Sequence, residues 1–307
     1  MAAQTAAPSG VNAVRRDMLV GLIGVNIQNS LSPALFADVC AAAGLRGYYH
    51  LMDLDRLPGR SLEDVLGAVR AAGFAGVNVT YPFKEAVPKL LDEVSAEARQ
   101  IGAVNTVTIG RDGATTGYNT DRTGFRRSFE ATLGRDAVAG QTALLVGAGG
   151  AGRAVAFALF DLGVQTLLVS DKNEAQAAGL VAALTNQFGS GRCRVERDPA
   201  AALAGAAGAV NATPVGMTGI PGMPISPAAI EARHWVADVI YSPLETDLLK
   251  AARAHGARVM GGAGMCVHQA AEAFRLFTAV TPDVGRLHAA FAQAAALRDR
   301  ASAVNQP

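Results

Sequence analysis

The sequence predicts an α/β protein of two domains, the second a doubly wound, mainly parallel sheet. Three observations carry this expectation. Short apolar runs alternate with helix-period segments along the chain. A glycine cluster directly follows the apolar run TALLV (142–146) and leads into an apolar helix. A glycine-bounded loop, residues 134–140, separates the two halves.

Taken in order, residues 19–25 (LVGLIGV) read as a buried strand. A helix starts at Ser32-Pro33, a serine cap followed by proline at the first helical position. A second starts at Ser61, with Asp64 three residues on as its capping-box partner. FAGVNV (74–79) is the next strand. AVNTVTIGRDGATTGYNTD (103–121) reads as two short strands about an Arg111-Asp112-Gly113 turn. A helix over 122–133 precedes the boundary loop. In the second half, strands are expected at 142–146, 166–170, 193–196, 208–211, 235–240 and 258–260, with helices between most of them, including 173–188. Two helices, 265–279 and 284–296, close the pattern.

Composition narrows the function classes. Half of the 307 residues are hydrophobic, enough for a sizeable core, and the net charge is +1. A nucleic-acid binder carries a basic excess, and aromatics at 6% leave few stacking platforms, so no nucleic-acid partner is expected. Cys40, Cys193 and Cys266 are odd in number and far apart, which predicts reduced thiols in a cytoplasmic protein. Residues 1–17 lack an apolar core before a cleavage site, which predicts a flexible tail and no secretory signal. No apolar run is long and unbroken enough to span a bilayer, so no membrane role is expected. The five histidines show no metal-ligand spacing, so no metal is expected, and His268 reads as structural. Asp92, Glu93 and Glu97 read as one solvated helix face.

Gly147-Ala148-Gly149-Gly150-Ala151-Gly152 contains GxGxxG at Gly147, Gly149 and Gly152. The pattern alone is weak among 34 glycines, but here it lies between a strand and an apolar helix over 153–162. Gly147 permits the tight turn, Gly149 lets backbone approach a pyrophosphate, and Gly152 lets helix pack on strand. The helix N-terminus adds free N–H groups. Asp171 follows Gly152 by 19 residues at the end of the next strand, where a carboxylate accepts from a ribose 2′-hydroxyl. A Rossmann-like dinucleotide-binding domain is therefore expected, with NAD preferred over NADP; Lys172 leaves room for a 2′-phosphate. A methyltransferase loop and, for Asp171, a helix N-cap are the competing readings at this point.

The segments NSLSP (29–33), NVTYPFKE (78–85), GAVNT (102–106), YNTD (118–121), GAGGAG (147–152), NATPVGM (211–217) and GAGMCVHQA (262–270) stand in order along the chain. Together they resemble the successive signatures of the shikimate/quinate dehydrogenase family, over about residues 18–300. The resemblance implies that residues 18–121, with 265–300, form a substrate-binding catalytic domain, and that 122–260 form the NAD(P)-binding domain. It implies Lys84 and Asp121 as the catalytic pair. Ser30 and Ser32 match the hydroxyls that bind the substrate carboxylate. Thr80, Asn105 and Gln269 match ring-hydroxyl ligands, and Tyr241 matches the family's substrate-site tyrosine. On the cofactor side it implies Asn211, Thr213 and Met217 beside the nicotinamide, with Gly262 letting backbone approach the ring.

This sequence departs from the family pattern at three places. Gly261 stands where many members have Asp, and Tyr81 is not the commonest residue after NVT. Ser170-Asp171-Lys172 replaces the Asn-Arg-Thr frequent in biosynthetic members, which points to the NAD-using, quinate-oxidising branch. The expected reaction is reversible hydride transfer linking 3-dehydroshikimate with shikimate, 3-dehydroquinate with quinate, or both. A monomer or homodimer is expected. A non-catalytic, dinucleotide-binding regulatory protein of the same fold is the alternative.

Overall fold

The computed structural model describes residues 17–304, with side chains through residue 300. The expected tail lies outside the described residues except for Asp17. That residue instead opens the first strand, in a bidentate pair with Arg46 (2.6 and 2.8 Å).

The elements in chain order are β1 (Asp17–Gly24), α1 (Ser32–Ala42), β2 (Arg46–Asp53), α2 (Leu62–Ala71), β3 (Gly76–Val79), β4 (Glu93–Val94), α3 (Ala96–Ile101), β5 (Thr106–Ile109) and β6 (Thr115–Tyr118). Then come α4 (Asp121–Thr132), β7 (Thr142–Val146), α5 (Gly150–Asp161), β8 (Thr166–Ser170), α6 (Glu174–Phe188), β9 (Cys193–Val195), α7 (Pro199–Ala204) and β10 (Gly208–Asn211). The last are β11 (Trp235–Asp238), α8 (Asp247–Ala254), β12 (Arg258–Met260), α9 (Ala263–Thr278) and α10 (Val284–Val304). They build two six-stranded sheets, ordered β2-β1-β3-β5-β6-β4 and β12-β11-β10-β7-β8-β9.

The second sheet is parallel throughout and its strand order reverses beside β7, the doubly wound arrangement the sequence predicts. Its strands are apolar on both faces because α5 and α6 cover one and α7 and α8 the other. The first sheet is mixed, as the hairpin expected over 103–121 requires. β5 runs antiparallel to β3 and β6, since a hairpin about Gly113 (φ +81°) joins β5 to β6. Helices α1, α9 and α10 share one apolar cluster against this sheet, so the closing helices return to the first half.

Three local details differ from the sequence reading. β2 was not expected; it is an edge strand that alternates exposed and half-buried residues, so it carries no continuous apolar run. Ser32 is the first helical residue of α1, not its cap: Leu31 already has helical angles, and Ser30 Oγ accepts the Ser32 N–H (3.3 Å). The capping box at Ser61 and Asp64 forms as expected. Asp92, Glu93 and Glu97 do not share a helix face. Asp92 accepts from Thr115 N and Oγ1 (both 2.8 Å), Glu93 lies in β4, and Glu97 lies in α3 beside Arg122 (3.5 Å). Among the described residues no helix is long and apolar enough to cross a membrane.

Candidate active site

Lys84 stands just beyond β3, in a single helical turn over Phe83–Glu85. Two backbone bonds fix that turn: Thr80 N–H donates to Ile23 (2.9 Å), and the Lys84 carbonyl accepts from Val104 N (2.8 Å). Asp121 is the first residue of α4. Asn119 Oδ1 accepts the Asp121 and Arg122 N–H groups (3.1 and 3.3 Å), and its amide donates to Ala103 O (2.9 Å). This satisfies helix donors that would otherwise be orphaned. The two junctions bring Lys84 Nζ to 2.6 Å from Asp121 Oδ2, with side chains 16% and 6% exposed. Such a short, shielded, charge-assisted bond has lost most solvent screening.

Around the pair runs a chain of buried amides and hydroxyls. Asn105 Oδ1 accepts Thr120 N (2.8 Å), and Asn105 Nδ2 donates to Thr120 Oγ1 (2.9 Å). Thr120 Oγ1 donates to Gln269 Oε1 (3.4 Å), and Gln269 Nε2 donates to Cys266 O (3.0 Å). Farther along, Tyr49 OH donates to Asn78 Oδ1 (2.9 Å), and Asn78 Nδ2 donates to Thr106 Oγ1 (3.0 Å). Burial raises the Tyr241 phenol, and a hydrogen bond with Ser30 opposes the rise. Burial likewise raises Tyr49, opposed by Ser32. The Cys266 thiol is pushed up to about 12 by burial, which keeps it protonated. Ser30, Ser32, Tyr241 and Gln269 thus lie on the α1–α9 side, with Thr80 and Asn105 at the strand ends.

The glycine turn faces this group. Gly147 has φ +105°, and a methyl there would lie 2.7 Å from the Ala212 backbone. A methyl at Gly152 would lie 1.9 Å from Gly147 O, so only glycine lets α5 pack on β7. At Gly149 a methyl would meet nothing nearer than Glu85 Oε1 (3.8 Å), leaving the approach to this backbone open. α5 begins at Gly150, inside the motif, with no side-chain cap, so its first N–H groups stay available to a pyrophosphate. Ala148 N–H is turned away: it donates to Asp171 Oδ2 (2.7 Å), while Asp171 Oδ1 accepts from Asn173 N (2.8 Å). Asn173, not Asp171, caps α6.

The loop over 211–217 packs on the same turn, Thr213 being the side chain nearest Gly147. Asn211 is fully buried, and its side chain is occupied internally. Its oxygen accepts from Thr213 N and Oγ1 (2.9 and 2.7 Å), and its amide donates to Val215 O and Asp238 (3.1 and 3.2 Å). Asn211 therefore shapes the loop that carries Thr213 and Met217 and offers no free group to a ligand. Gly262 sits where a methyl would lie 2.2 Å from Val239 O, so α9 starts tight against the end of β11.

The sequence reading missed several contributors. Asp53, at the end of β2, accepts from Asn26 N, Ile27 N and Gln28 Nε2 (3.0, 3.2 and 3.0 Å) and so fixes the loop that holds Ser30. Tyr49 and Asn78 were also missed; the alternation YYHLM before Asp53 was the available signal. Among the described residues, no His, Cys, Asp and Glu side chains group as metal ligands.

A glycine turn at a strand-order reversal thus faces an ammonium–carboxylate pair on the other sheet, an arrangement that suits a dinucleotide-dependent enzyme. The profile of the shikimate dehydrogenase substrate binding domain matches residues 22–107. The chain is 46% identical to a quinate/shikimate dehydrogenase (NAD(+)) of Corynebacterium efficiens, covering 89% of this chain and 97% of that protein. It is 45% identical to a shikimate dehydrogenase (NADP(+)) of Streptomyces avermitilis, over 90% and 96%. A solved structure, quinate dehydrogenase from Corynebacterium glutamicum in complex with NAD, superposes with a TM-score of 0.83 at 42% identity, covering 91% and 100%. The chain belongs to the shikimate/quinate dehydrogenase family.

Proposed function

We propose that this protein interconverts a ring alcohol and its ketone on shikimate, quinate or both, with NAD as the preferred hydride carrier. The observation that carries this reading is the shielded 2.6 Å Lys84–Asp121 pair packed against the glycine turn. When bound, the nicotinamide supplies or accepts the hydride. The chain's residues handle the proton. In reduction the Lys84 ammonium gives a proton to the oxygen as hydride reaches the ring carbon, leaving a neutral amine; in oxidation that neutral amine, its proton first released to solvent, takes the hydroxyl proton as hydride leaves the carbon. Asp121 holds the lysine and, through its other oxygen, a neighbouring ring hydroxyl. Ser30, Ser32 and Tyr241 offer hydroxyls to the substrate carboxylate, and Thr80, Asn105 and Gln269 orient the ring.

In this reading residues 18–121 with 265–300 bind the acid, and 122–260 bind the dinucleotide. Support for NAD comes from Asp171, which two backbone N–H groups hold beside the glycine turn. A fixed carboxylate there pairs with a 2′-hydroxyl and repels a 2′-phosphate. The buried thiols suit a reducing cytoplasm. The test is turnover of purified protein with NAD and NADP against shikimate and quinate. Expected is NADH production from at least one acid, at higher kcat/KM than with NADP. No turnover of either acid with either cofactor would favour the regulatory alternative.

A further inference from the structure

Two arginines outside the proposed machinery join the catalytic segments to the cofactor helix. Arg122 follows Asp121 directly in α4. Its guanidinium donates to both oxygens of Asp161, the last residue of α5 (2.7 and 2.6 Å). It lies 5.5 Å from the Phe157 ring centroid, and its side chain is 17% exposed. Arg153, in the first turn of α5, sends Nε to the carbonyl of Ile101 at the end of α3 (2.6 Å). Its guanidinium lies over Gly102, where a methyl would approach within 2.9 Å. Two residues farther on, Val104 N–H holds the Lys84 carbonyl (2.8 Å).

We propose that Arg122 and Arg153 are positioning residues for hydride transfer, gripping α5 at its two ends so that the glycine turn stays in register with Lys84 and Asp121. This rests on the dehydrogenase reading above. The argument is geometric. The start of α5 carries the glycine turn, and its register against the first sheet sets the distance from nicotinamide to substrate carbon. Hydride transfer is steep in that distance, and a misplacement of about 1 Å costs on the order of 100-fold. Apolar packing alone leaves a helix free to slide, whereas a bidentate guanidinium–carboxylate pair fixes distance and angle together. The Arg122–Asp161 pair holds the far end of α5, and its start is fixed by the Arg153 bond to a backbone carbonyl, which cannot rotate away as a side chain can.

The test compares wild type with Arg122→Ala, Arg122→Lys and Arg153→Met, using the better acid and NAD. Expected for Arg122→Ala and Arg153→Met is a kcat reduced about 10- to 100-fold. KM for acid and cofactor should stay within about threefold, and the primary deuterium isotope effect from substrate labelled at the carbinol carbon should rise. Arg122→Lys should recover only part of kcat, because a point charge cannot form the two-pronged pair. A merely structural role would lower Tm while kcat per folded enzyme and the isotope effect stayed at wild-type values; that outcome overturns the proposal. So does a loss confined to KM for NAD. If wild type turns over neither acid, the dehydrogenase reading fails. The grip is then decided by amide exchange over residues 84–90 and 147–153: faster exchange in Arg122→Ala supports it, and unchanged exchange overturns it.

Discussion

Lys84 and Gly150 are in van der Waals contact across the two sheets, and a methyl at Gly150 would lie 2.8 Å from Lys84 Cβ and 3.2 Å from its Cδ. The proton-handling residue of the proposed mechanism thus leans on the first turn of α5. A change in either element is felt by the other without passing through a ligand.

Gly150→Ala follows from that contact. Alanine favours helix over glycine by up to about 1 kcal/mol, while overpacking costs about 1–3 kcal/mol, so net stability should change little. The nearest atom is Lys84 Cβ, so the turn that carries Lys84 and the start of α5 must separate by several tenths of an ångström, which disturbs the placement of Lys84. We expect kcat to fall about tenfold or more with Tm shifted by only a few degrees, read by steady-state kinetics beside thermal melts. Wild-type kcat in this variant would show that the contact has no bearing on chemistry.

Lys84→Ala should lower kcat by about 10²–10⁴-fold, the usual contribution of a placed acid–base group. Nothing in the glycine turn is removed, so NAD affinity measured by fluorescence titration should hold within about threefold. Asp121→Asn keeps the shape and removes the charge that holds the ammonium. It should depress kcat comparably, because the shielded Lys84 ammonium loses its counter-charge. Turnover near wild type in the lysine variant would remove it from the reaction.

Asp171→Ser tests cofactor choice. The substitution removes a negative charge beside the turn while a hydroxyl can still accept from Ala148 N–H. The ratio of kcat/KM for NADP over NAD should rise about tenfold or more, corresponding to about 1.4 kcal/mol of relieved repulsion and lost 2′-hydroxyl bonding. An unchanged ratio would separate Asp171 from discrimination and leave it as a loop-holding residue.

Local physics made part of this legible in the sequence. The Ser61–Asp64 capping box, the Gly113 hairpin and the β7–glycine–α5 junction all involve residues close in sequence, whose backbone needs show in residue type. The Lys84–Asp121 contact spans 37 residues, and only family resemblance joined them. β2 escaped because an edge strand alternates and is polar on its open side. Asp53, Arg122 and Arg153 escaped for a related reason. A lone charge on a helix or at a strand end is ordinarily solvated, and only tertiary packing buries these three among backbone and carboxylate partners.

Asp238, at the end of β11, gives the fold a pH dependence. It is fully buried and accepts from Ile240 N (3.0 Å), Thr246 Oγ1 (2.8 Å) and the Asn211 amide (3.2 Å). Burial dominates these bonds and raises the carboxyl to about 6. The folded value exceeds the unfolded one of about 3.9, so the stabilising contribution is complete below about pH 4 and is lost as pH rises through about 6. Two pH units are worth about 3 kcal/mol. Asp238→Asn cannot titrate, and its amide NH₂ faces donors, costing about 1–3 kcal/mol. Urea unfolding between pH 4.5 and 7.5 should show the variant less stable at the acid end, with the gap to wild type narrowing as pH rises. Because Asn211 ties Asp238 to Val215 O, the loop over 211–217 should exchange amides faster in the variant. Stability curves that run parallel across this range would mean that Asp238 stays ionised throughout, its hydrogen bonds outweighing burial.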